Sequence, residues 1–177
     1  MDNKINQKQV FDLIVYGLEL HNLNAEEISL SQYNKIFKIH TKYSNLFDEF
    51  LTKTNGKLDT FQNAGCLMIA INKSEFFESK KANAIFALDI ACKICQTPDN
   101  MMDLDFRQIF AKDKKYFNKV RRMIVEALMV DDYLSPFNCA LSLRTIYETA
   151  LKKYEDSLGK RKQFFIKNII NSLKKES

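Results

Sequence analysis

Only four glycines and two prolines interrupt the 177 residues of this chain. Average usage would place about 20 of these residues in a chain of that length. β-Sandwiches need many turns, and α/β folds with phosphate-binding loops need glycine-rich segments, so the composition disfavours both classes. The scarcity of turn residues therefore favours an all-helical fold.

The apolar residues point the same way, because they recur at alternating steps of three and four, the spacing that lines one face of a helix. In the second predicted helix, which ends near Lys53, these residues are Ile36, Ile39, Tyr43, Leu46 and Phe50. Asn55-Gly56 follows and supplies residues that tolerate positive φ. The spacing and the stop signal together predict a long amphipathic helix.

Capping residues indicate where helices begin. Asn24 with Glu27 has the capping-box spacing, although Ser29 or Ser31 could equally begin the second helix. Ser135-Pro136 is a strong start signal, since it combines an N-cap residue with proline at the first helical position. These signals, together with the spacing, predict seven or eight helices.

Two apolar segments, residues 64–71 and 84–95, form the centre of the predicted fold. Most of the first is apolar on every side, as expected of a helix surrounded by others. No linker-like composition and no regular internal repeat divides the chain. We predict one compact domain over residues 1–177, an all-α helical bundle without significant sheet.

The positive charge is unevenly distributed. Residues 1–111 carry 12 basic and 14 acidic side chains, whereas residues 112–177 carry 15 and 8. Lysine supplies 22 of the 27 basic residues, which indicates the codon bias of an AT-rich genome rather than selection for phosphate contacts. The strongly basic C-terminal third could nevertheless attract an anionic partner.

One carboxylate within residues 1–111 has an expected partner. Asp89 should pair with Lys93, four residues later on the same predicted helix.

A helix opened by Asp113 carries the most suggestive pattern. Its predicted apolar stripe consists of Tyr116, Val120, Met123, Ala127, Val130 and Leu134. Its predicted basic stripe, about 15 Å long, consists of Lys112, Lys115, Lys119 and Arg122, widened by Lys114 and Arg121 and extended by Lys160, Arg161 and Lys162. A DNA or RNA backbone could lie along this basic side, contacted at its phosphates without sequence specificity. The alternative is the solvated face of a lysine-rich protein.

The cysteines suggest packing rather than chemistry. Cys92 and Cys95 have the spacing of a zinc or redox pair, but no second pair follows and no strand precedes them. Both continue an inward-facing stripe, so we expect them in the core and predict neither a metal nor a cofactor. Four cysteines without a recognisable export signal or membrane span indicate reduced thiols and a cytoplasmic location.

Paired carboxylates offer a second weak motif. Glu75 and Glu78 have the spacing of adjacent positions on a helix, which can hold magnesium. The fourth predicted helix begins at about Ser74 or Ser79 and ends at Gln96. The second acidic pair that such a site requires is missing from the sequence. A metal-dependent hydrolase is therefore only the third hypothesis for the function, behind the two given below.

The two histidines, His21 and His40, complete no catalytic signature. His40 lies beside an apolar stripe through Tyr33, Phe37 and Phe47, where a histidine at the margin of the core is expected. Without a complete catalytic constellation, the sequence favours a non-enzymatic interaction or regulatory protein that binds a protein partner. The alternative is a nucleic-acid-binding accessory protein that uses the basic C-terminal third.

Overall fold

The computed structural model describes residues 4–20, 28–95, 114–130, 135–157 and 167–174. Seven helices and no strand occur in these ranges, which confirms the predicted all-α fold. The helices are α1 (Gln7–Leu20), α2 (Leu30–Lys53), α3 (Thr60–Lys73), α4 (Lys80–Cys95), α5 (Lys114–Val130), α6 (Pro136–Ser157) and α7 over residues 167–174. In the same ranges, no helix has the length and apolar character to cross a membrane.

Capping residues fix both ends of α2. Ser29 begins it, because its hydroxyl accepts from the backbone N–H of Gln32 at 3.2 Å while the Gln32 side chain accepts from the N–H of Ser29 at 3.0 Å. Asn55 and Gly56 end it with φ angles of 56° and 81°. Of the three starts that the sequence allowed, Asn24 lies outside the described residues, and Ser29 is the observed N-cap.

Helix α3 lies at the centre of the bundle, as predicted, and contacts α2, α4 and α6. Residues 64–71 are almost completely shielded from solvent. Gly65 lets α6 come close, because a Cβ atom at this position would lie 2.4 Å from the carbonyl oxygen of Pro136. The second predicted core segment, in α4, is buried over most of its length.

Two buried asparagines and a tyrosine supply polar contacts within the core. Tyr43 accepts a hydrogen bond from the backbone N–H of Ile5 at 2.9 Å and donates to Oδ1 of Asn63 at 2.5 Å. Asn83 donates to the carbonyl oxygens of Ile71 and Asn72, both at 3.0 Å. These bonds satisfy backbone groups at the N-terminal segment and at the end of α3.

The connection between α3 and α4 selects Ser79 from the two starts predicted for α4. Residues 74–79 form turns and bends, and Ser79 provides the cap of α4 by accepting from the N–H of Ala82 at 3.2 Å. Glu75 has a φ angle of 49°, outside helical geometry. Glu75 and Glu78 therefore do not occupy adjacent positions of a helix, although both line one cavity with Phe77 and Lys80.

Candidate functional site

The second half of helix α5 differs from the predicted stripe. Among its described side chains, Val125 and Leu128 are buried, with Ile124 partly buried beside them. The side chains of Tyr116 and Val120, and residue Leu134, lie outside the described part of the chain. Met123 and Val130, both in the predicted apolar stripe, are 61% and 81% exposed. The predicted stripe is therefore wrong at these two positions, and part of the apolar surface of α5 faces outward.

Two polar contacts explain this orientation. Nη2 of Arg121 lies 3.3 Å from both carboxylate oxygens of Asp89 on α4. The side-chain amide of Asn72 on α3 donates to the backbone carbonyl of Leu128 at 2.8 Å. Because apolar residues occur on more than one side of α5, the spacing alone allowed two orientations, and these contacts accompany the observed one.

Arg121 belongs to the interface between α4 and α5 rather than to a free basic face. The Arg121 and Asp89 side chains are 32% and 22% exposed, and Nε of Arg121 is buried without an acceptor among the described residues. The predicted partner of Asp89, Lys93, instead lies with its ammonium 4.7 Å from the ring centroid of Tyr16. Arg121 therefore replaces Lys93 as the observed cation on Asp89.

The remaining residues of the basic stripe divide into two groups. Lys119 and Arg122 are exposed, one turn apart on α5. Lys114 and Lys115 lie in the first turn of α5, and only their backbone belongs to the described part of the chain. The other predicted members, Lys112, Lys160, Arg161 and Lys162, lie outside the described residues.

A cleft of about 410 Å³ lies between α4 and α5 beside these residues. Lys81, Arg121 and Arg122 contribute positive charge to its wall, and Glu126 contributes a negative charge. Its apolar lining comes from Ile85, Val125 and Met129. The cleft thus combines cations from two helices with an apolar floor, while Asp89 and Glu126 offset part of the charge.

A second exposed surface lies on the first half of α2. Leu30, Tyr33 and Phe37 follow each other at steps of three and four and are 78%, 40% and 45% exposed. Phe11 of α1 stacks on Tyr33 with a distance of 5.1 Å between ring centroids. We name these four residues the α1–α2 aromatic surface.

The sequence analysis did not distinguish the α1–α2 aromatic surface from the buried face of α2. Tyr33, Phe37 and Phe47 were expected to share one inward stripe near His40, yet only Phe47 is fully buried. A comparison of helical faces could have distinguished them, since Ile36, Ile39 and Phe47 lie on one side of α2 while Leu30 and Phe37 lie on another.

The cysteines occupy the environments of packed thiols. Cys95 is buried as predicted, whereas Cys92 is only partly buried, against the core. Burial, reinforced by the negative charge of Asp89, raises the pKa of Cys92 to about 12, and burial places the pKa of Cys95 well above its usual range. In the described ranges, no three side chains of the metal-ligating types come together. Both thiols are protonated at neutral pH and are poor nucleophiles and ligands.

His40 lies at the margin of the core, and His21 lies outside the described residues. Burial lowers the pKa of His40, and the charge of Lys4 adds to this effect. Nε2 of His40 is 3.5 Å from the hydroxyl of Ser44, at the limit of hydrogen-bond distance. The distance is longer than about 2.6–3.2 Å, the range typical of a histidine that activates a hydroxyl.

Comparison of the chain with protein-family models, curated proteins and solved structures finds no match. The functional argument therefore depends on the two exposed surfaces described above.

Proposed function

We propose that this protein is a non-enzymatic interaction protein that binds a protein partner through the α1–α2 aromatic surface. The observation that supports this proposal is the exposed stripe of Leu30, Tyr33 and Phe37 on one helix. Large apolar and aromatic side chains presented at steps of three and four are the usual anchors of helix-mediated recognition. Phe11 extends the stripe from α1, so that a partner would contact two helices.

The charge of α2 indicates the chemistry of the partner. Residues 28–47 contain three lysines and no carboxylate. Lys42 and Lys35 direct their ammonium groups toward the carbonyl oxygens of Lys73 and Phe76, at 2.9 and 3.5 Å. Lys38 is exposed near the stripe. A partner segment with apolar anchors and acidic flanking residues would complement this surface.

Affinity purification from the native host, with and without substitutions in the stripe, tests the proposal. The test variant carries Leu30→Ser, Tyr33→Ser and Phe37→Ser. The control carries Met123→Ser, Val130→Ser and Leu141→Ser, which remove three exposed apolar side chains elsewhere. We expect one protein to co-purify with the original and the control and to be lost from the test variant.

Reconstitution with the purified partner then gives the quantitative result. Each buried anchor contributes about 1–2 kcal/mol, so the test variant should bind at least 100-fold more weakly. Equal binding by the test variant and the original would refute the assignment of the surface.

A nucleic-acid-binding function is the second candidate, supported by the convergence of Lys81 and Arg122 on the α4–α5 cleft with Lys119 exposed nearby. Such contacts reach phosphate, so affinity should fall steeply with salt and vary little with sequence. Charge reversal of Lys112, Lys115, Lys119 and Arg122 tests it, with Lys8→Glu and Lys57→Glu as the control. Arg121 is left unchanged because it pairs with Asp89.

Analysis of nucleic acid in the same purification distinguishes the two candidates. If RNA or DNA is retained at low salt and lost on charge reversal, the second candidate is supported. If the original protein binds neither at low salt, the second candidate is excluded.

We also propose the cytoplasm as the place of action, since all four cysteines are free thiols.

A further inference from the structure

Helix α7 is amphipathic, yet its apolar residues lie at the surface. Ile169 and Leu173, one turn apart, are 44% and 41% exposed, and Ile170 between them is half-buried. The other residues of α7 are polar, with Lys167 and Lys174 at its two ends. An apolar face of this kind, left partly open to water, has the character of a surface that binds something apolar.

The sequence around α7 holds an unusual concentration of charge. Residues 160–177 contain six basic side chains and one acidic side chain, a net charge of +5. This equals the net charge of the whole chain, so residues 1–159 are balanced. The net positive charge of the protein is therefore concentrated in the segment that contains α7.

We propose that α7 docks on an anionic lipid surface. In this arrangement Ile169, Ile170 and Leu173 enter the boundary between headgroups and acyl chains, while the lysines lie at the level of the lipid phosphates. Eight residues of helix extend about 12 Å, which suits an orientation in the plane of the interface. Docking is reversible, because a few apolar side chains and basic residues give only modest affinity.

An anionic lipid surface matches both features of α7 at once, since it offers an apolar interior beneath a continuous layer of negative charge. Nucleic acid would attract the lysines but would leave the isoleucines in water. A groove of a protein would need both an apolar floor and a densely acidic rim to match a net charge of +5 within 18 residues. The inference is independent of the α1–α2 aromatic surface, which lies on other helices.

A single engineered tryptophan can report insertion, because the chain contains none. Leu173→Trp places the reporter on α7, and Leu141→Trp places the control on an exposed position of α6. The probes are vesicles of phosphatidylcholine, alone or with about one third phosphatidylserine. We expect the emission of Leu173→Trp to move to shorter wavelength with the anionic vesicles only, and that of Leu141→Trp to stay unchanged. High salt should reverse the shift.

Variants separate the two contributions in a vesicle co-sedimentation assay. Lys167→Gln with Lys174→Gln should weaken partitioning roughly 25-fold, since each lysine near an anionic surface contributes about fivefold. Ile169→Ser with Leu173→Ser should weaken it by about 100-fold or more. Lys38→Gln with Lys57→Gln and Met123→Ser with Leu141→Ser are the matched controls and should partition as the original does.

Three results would overturn the proposal. The first is the absence of a tryptophan shift and of sedimentation with anionic vesicles at low salt. The second is sedimentation that survives the loss of Ile169 and Leu173, which would show contact through charge alone. The third is equal effects of the α7 variants and their controls.

Discussion

Arg121 and Arg122 are neighbours in sequence but have different surroundings, so their substitution should change the free energy of unfolding by different amounts. Arg121→Gln removes the contact with Asp89 and should lower the free energy of unfolding by about 1 kcal/mol, the upper end for exposed ion pairs, because this pair is mostly shielded from solvent. Arg122→Gln should change it by less than about 0.5 kcal/mol. Urea unfolding measures both values, and equal losses would contradict the role given to Arg121.

Tyr43 gives a second residue-scale prediction. Tyr43→Phe removes the acceptor of the Ile5 N–H and a donor to Asn63, inside the core. A buried group that loses its partner destabilises a protein by about 1–3 kcal/mol, and we expect a loss in this range. Tyr33→Phe is the matched control, since this tyrosine is exposed and its substitution should leave the unfolding midpoint unchanged.

The thiols predict a specific pH dependence. Burial raises the pKa values of Cys66, Cys92 and Cys139 to about 12, so a thiol reagent at pH 8 should react slowly with the native protein and rapidly with all four cysteines in denaturant. In the unfolded chain these thiols ionise near pH 8.5. Stability conferred by the raised pKa values is therefore complete below that pH and declines as the pH rises toward 12. Rapid labelling of native Cys66 or Cys139 would disprove their burial.

At the scale of elements, Gly65 sets the distance between α3 and α6. Gly65→Ala places a methyl group against the carbonyl oxygen of Pro136, which is backbone and cannot rotate away. We expect a loss of about 2 kcal/mol or more, because the two helices must separate. Gly56→Ala has open space around its Cβ but a φ angle of 81°, so its loss should stay near 1 kcal/mol. Thermal unfolding of the two variants ranks them.

The sequence predicted the burial of α3 correctly and that of α5 wrongly at Met123 and Val130, and the reason lies in their patterns. Residues 66–71 are apolar on every side, so the burial of α3 does not depend on its rotation about the helix axis. In α5 the spacing is compatible with either Met123 or Val125 facing inward. In the observed orientation Val125 faces inward and Arg121 contacts Asp89. These two residues are 32 positions apart, so no local pattern in the sequence predicts their contact.

Of the two candidate surfaces, the sequence predicted only the basic one. The basic residues Lys119 and Arg122 were found because their spacing places them on one exposed face. The α1–α2 aromatic surface was missed, because Tyr33 and Phe37 resemble core residues by type and spacing. A comparison of the faces of α2 separates Leu30 and Phe37 from Ile36, Ile39 and Phe47, but which of these faces is buried is decided by the packing of α2 against α1 and α3.

At the scale of the whole molecule, the fold itself can be tested simply. Far-UV circular dichroism should show the double minimum of an α-helical protein, with no dominant strand signal. Unfolding followed by this signal and by tyrosine fluorescence should coincide, because α3 contacts three other helices and cannot lose them separately. A spectrum dominated by strand would contradict the architecture and every surface assigned on it.

The almost complete shielding of residues 64–71 in α3 also makes this segment a sensitive reporter of binding. Its amide hydrogens can exchange with solvent deuterium only when the whole bundle opens, so their exchange rate reports the global free energy of unfolding. A ligand that binds the folded chain raises that free energy in proportion to the logarithm of its concentration, wherever on the surface it binds. Slower exchange at Leu67 or Met68 would therefore register a peptide, a nucleic acid or a lipid vesicle alike, and give its affinity without any label on the partner.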